Sequence, residues 1–155
     1  MDPRPVTFLT DFGYSDEYPG ACRLVIAGID PRIRVIEISH GIPPGDVRRG
    51  ALALAAAVRF SPPAVHLAVV DPGVGGSRRA VALSCGEHHL VGPDNGLLSL
   101  AAAVLGGIEA AFDVSETPVR AGDSDTFHGR DIFSPVAAEL ARGAAPGELG
   151  DAIGF

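Results

Sequence analysis

The sequence predicts an α/β fold: a mostly parallel central sheet flanked by helices. Two observations carry that reading. Short apolar runs that look like strands alternate along the chain with stretches apolar at helical spacing. Polar segments bearing glycine follow four of the strand-like runs, where the connecting loops of an open α/β sheet belong. Size agrees, since 155 residues at 46% hydrophobic suffice for one core without disulfides or a structural metal.

The elements follow in order. Val6–Thr10 reads as a short buried strand, broken by Asp11-Phe12-Gly13. Gly20–Ile29 is apolar at helical spacing and stops at Asp30-Pro31. Arg34–Ile38 alternates charged and apolar residues, as a half-buried strand does. Ser39–Pro44 is a loop, and Asp46 caps a helix running from Val47 to about Phe60. Val65–Val70 is a third strand, followed by the glycine-rich Asp71–Gly76. Val81–Cys85 and His89–Val91 pair through the Gly86-Glu87 turn. Gly92–Gly96 is a loop, Leu97–Leu105 a helix and Ile108–Val114 a strand. After a long irregular stretch, Ile132–Arg142 is the last helix, giving a three-layer, Rossmann-like arrangement over residues 1–150. Residues 143–155, rich in Gly, Ala and Pro, are expected to leave the domain, with 151–155 beginning a linker.

Composition narrows the function. The formal charge of −7 argues against a polyanionic partner, because nucleic acid is met by clustered basic residues and these are scattered. All twelve basic residues are arginine, which removes chemistries that need a lysine amine, such as a Schiff base or a Walker-type phosphate lysine. Cys22 and Cys85 lack CxxC spacing and read as buried thiols of a reducing compartment. The N-terminus shows no basic region ahead of an apolar core. The longest apolar stretch, near Ala51–Val58, falls far short of the roughly 20 residues that span a bilayer. A cytoplasmic protein away from membranes is the expectation.

Four segments hold the candidate chemistry: Thr10–Gly13, Ser39–Gly41, Asp71–Gly76 and Gly92–Gly96. Each follows a predicted strand, so all four are expected along the carboxyl edge of the sheet, where α/β folds bind ligands. Asp11 and Asp16 lie in the first loop; such a carboxylate either holds a vicinal diol or caps its own turn. Asp71, with Arg78 seven residues on, forms either a charge-assisted pair in a site or a clamp bracing the loop. His128, in the irregular Phe127–Asp131 stretch, is the best acid–base candidate of five histidines. His66, His88 and His89 read as structural or exposed, and His40 is ambiguous. A metal held by Asp11, Asp71, His128 and Asp131 is conceivable on residue type, yet no HxH, HxxxH or cysteine cluster supports it.

Taken together, TDFG at 10–13, ISHGIPPGDVRRGA at 38–51, VVDPGVGGSRR at 69–79, GPDNGLL at 92–98 and FHGRDIFSPVAA at 127–138 resemble the S-adenosyl-methionine hydroxide adenosyltransferases, relatives of the fluorinase and chlorinase. The resemblance runs through nearly the whole chain. It implies hydrolysis of S-adenosyl-methionine to adenosine and methionine, with Asp71, Arg78 and His128 activating water. Asp11 would hold the ribose hydroxyls, with Asp16 and Asn95 also on the substrate side. In the halogenases a tyrosine stands at the position of Asp71 and a threonine at that of Val74, so the carboxylate here favours water over halide. Cofactor and metal are not expected. The resemblance also implies a C-terminal β-barrel domain, lacking in this sequence, that binds adenine across a homotrimer. Alternatives are a non-catalytic S-adenosyl-methionine or adenosine module and a halogenase-like transferase. Gly45 departs from the polar or aromatic residue usual in the family.

Overall fold

A computed structural model describes residues 1–155. Seven strands form one sheet: β1 (Val6–Thr10), β2 (Val35–Ser39), β3 (Val65–Val69), β4 (Ala80–Cys85), β5 (His88–Pro93), β6 (Ala110–Asp113) and β7 (Asp151–Ile153). Their spatial order is β2-β1-β3-β5-β4-β6-β7. Four helices, α1 (Tyr18–Ile29), α2 (Val47–Val58), α3 (Ser99–Val104) and α4 (Ser134–Ala141), complete the layers.

Alternation along the strands decides which layer each side chain joins. Val6 and Phe8 of β1, with Val65, Leu67 and Val69 of β3, pack with Cys22 and Ile26 of α1 and Val136, Ala137 and Leu140 of α4. Leu9, Ala68 and Val70 point to the other face, against Leu54 and Val58 of α2 and Ala101 and Ala102 of α3. β3 is buried at all five positions because it has a strand on either side and helices above and below. From β1 the chain moves outward to β2 through α1, then returns past β1 to β3 through α2 on the opposite face. Between β1 and β3 the connections diverge, opening a crevice at their carboxyl ends.

The sheet is mixed, where the sequence suggested a mostly parallel one. β2-β1-β3-β5 is parallel, and β5-β4, β4-β6 and β6-β7 are antiparallel. The hairpin at Gly86-Glu87, with Gly86 at φ 59°, reverses direction in two residues, and β6 and β7 then extend the reversed half.

Two further differences have local causes. The last helix was expected from Ile132; instead a π-helical turn at Gly129–Phe133 leads into α4. Pro135 has no N–H to give the Asp131 carbonyl, and Ser134 N donates five residues back to Gly129. The freed Asp131 carbonyl accepts from Ala121 N at 2.8 Å. The tail also stays with the fold. Gly143, at φ 101°, ends α4; Leu149 is buried in the core, and Asp151–Ile153 pairs with β6 as an edge strand. A composition rich in Gly, Ala and Pro reads as exit chain because only one of these residues, Leu149, is deeply buried.

His66 is fully buried on β3, its Nδ1 2.7 Å from Thr7 Oγ1 and its Nε2 3.1 Å from His88 Nδ1. Burial, followed by the neighbouring His88, pushes its pKa down from 6.5 to about 4. The unfolded state therefore binds the extra proton first, so this contribution to stability is complete above pH 6.5 and is lost as pH falls toward 4. Urea midpoints measured across that window should fall with pH, and His66→Gln should flatten the slope; an unaltered slope would remove His66 as a cause. A Cβ at Gly150 would run into the Asp113 carbonyl. Gly150→Ala should cost about 1–3 kcal/mol by overpacking and speed amide exchange in β7. Unchanged exchange there would contradict the docking of the tail.

Candidate functional site

The carboxyl ends of β1, β2, β3 and β5 lie along one edge of the sheet, and the four polar loops named from sequence leave from it. Asp11 follows β1. Its main-chain N–H donates to Val69 O at 3.4 Å, tying it to the end of β3. Its Oδ2 accepts from Gly45 N at 2.7 Å, which joins the first loop to the β2–α2 loop. Gly45 sits at φ 75°, and a Cβ there would touch the Pro72 side chain, so the Asp71 loop is the next neighbour. One hydrogen bond leaves the Asp11 carboxylate acceptor capacity for a diol.

Arg78 gathers the predicted trio. Its Nε donates to Asp71 Oδ1 at 3.0 Å and one terminal nitrogen donates to Asp71 Oδ2, a two-pronged ion pair. That same terminal nitrogen lies 2.8 Å from His128 Nδ1. The side chains of Asp71 and Arg78 are only 5% and 11% exposed, so the charges offset each other where water screens poorly. The guanidinium also lies over the Phe133 ring, 5.3 Å from its centroid.

A guanidinium only donates, so His128 Nδ1 must accept. The imidazole is thereby assigned as neutral with its proton on Nε2. Burial lowers the His128 pKa, and the positive charges of Arg78 and then Arg120 lower it further. Both effects keep the ring uncharged near neutrality.

The loop bearing His128 packs directly on the loop bearing Asp71. At Gly75, with φ 76°, an added Cβ would come within 2.5 Å of the Asp125 carbonyl, so glycine meets a conformational and a spatial demand together.

Not every predicted residue joins the trio. Asn95 Nδ2 donates to Val70 O at 2.9 Å and its Oδ1 accepts from Leu97 N at 3.1 Å, so the amide braces the β5–α3 loop on the end of β3. Beside it, Arg79 and Asp94 form an ion pair at 3.0 Å. Asp16 accepts from Tyr18 N at 3.0 Å at the start of α1. It lines an adjoining cleft of about 240 Å³ with Tyr14, Arg23, Glu37 and His40, away from Asp71, Arg78 and His128. Asp11, Asp71, His128 and Asp131 do not converge as a set of metal ligands: Arg78 stands between Asp71 and His128, and Arg130 occupies Asp131.

His40, ambiguous in sequence, is the fastening of the first loop. It is buried, with Nδ1 2.7 Å from Thr10 Oγ1 and Nε2 2.5 Å from Glu37 Oε2. Its N–H donates to Tyr14 OH at 2.9 Å and its carbonyl accepts from Gly13 N at 2.8 Å. In the sequence it is marked by its place in the Ser39–Gly41 loop after a half-buried strand and in the string at 38–51, neither of which gives it a partner.

Gly75→Ala should destabilise the chain by about 1–3 kcal/mol through strain and overpacking. At this length that is on the order of 2–4 °C of Tm per kcal/mol. A calorimetric scan indistinguishable from the parent would show that the two loops do not press together there.

Comparison with known proteins gives the family. Residues 6–150 match the family described as SAM hydroxide adenosyltransferase N-terminal domain. A Salinispora tropica protein named (R)-S-adenosyl-L-methionine hydrolase is 56% identical over 99% of this chain and 59% of its own length. A Thermus thermophilus protein of the same name is 45% identical over 97% of this chain and 62% of its own. A fluorinase from Actinoplanes sp. is more distant, 27% identical over 96% of this chain and 58% of its own. A solved structure of an uncharacterized conserved protein from Thermotoga maritima superposes with a TM-score of 0.90 at 37% identity, covering 97% of this chain and 59% of that one. The chain thus spans about three-fifths of the length of the curated relatives it matches. On the profile match and these relatives, the chain belongs to the S-adenosyl-methionine hydroxide adenosyltransferase family, of which it carries the N-terminal domain.

Proposed function

We propose that this chain supplies the water-activating half of an enzyme that hydrolyses S-adenosyl-methionine to adenosine and methionine. The observation that carries the reading is the Arg78 bridge between Asp71 and His128, set beside Asp11 at the crevice between β1 and β3. Asp11 would accept from the ribose hydroxyls, and Asp16 would serve the substrate from the adjoining cleft. Asn95 would act on the substrate side through the loop it braces.

The reaction suits this inventory. Water oxygen attacks the ribose C5′, and the C5′–sulfur bond breaks with its electron pair going to sulfur. Methionine leaves as a neutral thioether from a sulfonium, so the leaving group needs no proton. The tasks left to the protein are to hold water in line and to take one proton. With Nδ1 engaged by Arg78, His128 offers Nε2–H as a donor that orients the water. Asp71 then receives the proton. A carboxylate suffices for this because the water becomes strongly acidic as its bond to carbon forms. A carboxylate at this position repels halide, which separates the reading from halogenation.

The full reading takes in a homotrimer completed by a further domain, action in the cytoplasm, and neither cofactor nor nucleic acid as partner. No helix is long and apolar enough to cross a membrane. The test joins this chain to the C-terminal portion of the Salinispora relative, incubates it with S-adenosyl-methionine and follows adenosine by chromatography. Adenosine should form, and Asp71→Asn, Arg78→Lys and His128→Ala should each slow it roughly 10²–10⁴-fold, with smaller changes in KM. Substrate binding without adenosine in the joined protein would leave a binding module instead of a hydrolase.

A further inference from the structure

His128 follows a segment, residues 114–127, that contains no helix or strand. Something other than a backbone ladder must fix it. The contacts converge on Asp131, on the π-helical turn just beyond His128. Asp131 is 1% exposed. Its carboxylate accepts from Ser124 N at 3.1 Å and from Arg130 at 2.7 Å and 3.1 Å. Its main-chain carbonyl, released by Pro135, accepts from Ala121 N, and its own N–H donates to Phe127 O at 2.9 Å. Gly122 lies so close that a Cβ there would fall 2.7 Å from Asp131 Oδ1. Arg120 braces the same segment from inside, donating to the carbonyls of Gly122 and Ser124. A buried carboxylate with this many donors is held tightly, and what it holds is the loop that delivers the imidazole.

We propose that Asp131 is a positioning residue, anchoring residues 121–127 so that His128 Nδ1 meets Arg78. Its importance for turnover rests on the hydrolase reading above; its hold on His128 is a property of this chain and is testable without turnover. Asparagine at 131 keeps the shape but turns one acceptor oxygen into an NH2 group, which then faces the N–H of Ser124 or Arg130. The segment should release, and His128 should lose its fixed partner.

The experiment is long-range proton–nitrogen NMR of the histidine rings in the 155-residue chain, titrated with pH. In the parent, His128 should be the Nε2–H tautomer and titrate below 6.5. In Asp131→Asn its tautomers should mix and its titration move up toward 6.5, while His66, near the amino end of β3, keeps its parental signature. Gly122→Ala presses on the same anchor without changing charge and should move His128 the same way. Asp123→Ala removes a fully exposed side chain on the same segment, whose 3.9 Å ion pair with Arg120 is screened by solvent, and should leave it unmoved. Should Asp131→Asn abolish the folded His66 signature, Gly122→Ala decides alone. A parental His128 tautomer and titration in a folded Asp131→Asn or Gly122→Ala chain would overturn the proposal. An equal shift in Asp123→Ala would overturn it too, since any change in the loop would then do. Loss of adenosine formation in the joined protein bears on the hydrolase reading and leaves these spectra unaffected.

Discussion

The site depends on one buried guanidinium with three partners. Arg78 lies between two loops that share no ladder, and it supplies the charge that lets Asp71 stay buried as a carboxylate. A planar fork can meet both oxygens of Asp71 and still reach His128, a geometry that a lysine ammonium cannot copy. Its underside rests on Phe133, which belongs to the core packed by α1 and α4. This aromatic contact joins the polar site to the core, alongside the strand ends that carry Asp71 and Arg78.

Everything around Arg78 can be read as meeting its demands. The parallel half of the sheet sets Asp11, Gly45 and Asp71 at adjacent loop starts, since parallel strands present their carboxyl ends together. The antiparallel half completes the edge: β4 begins there, directly after Arg78 and Arg79, and β5, which pairs with both halves, carries Asn95 past its end. The His128 loop reaches the edge from far along the chain, and a buried carboxylate and a freed carbonyl hold it there in place of strands.

Much of this was legible in the sequence. The four loops and the order of elements up to α3 follow from residue type, glycine placement and hydrophobic period, because those signals are local, whereas the trio as a set is named only by the family resemblance of its motifs. Three things were not. Whether β4 and β5 run parallel to β3 is decided by pairing partners, which a strand's own residues do not encode. The π-helical turn comes from Pro135 acting on a carbonyl four residues earlier, where an apolar periodicity reads only helix. His40 could not be ranked, because its role comes from Thr10, Tyr14 and Glu37 arriving around it in space.

The arginine-only inventory has a consequence for how this protein can be altered. Guanidinium groups do not react with acyl donors under the conditions that convert lysine amines to amides, and they stay protonated across the working pH range. None of these 155 residues offers a lysine amine to acetylation, ubiquitination or an amine-directed label. The charge that holds the site together is therefore beyond the reach of lysine-directed covalent switches.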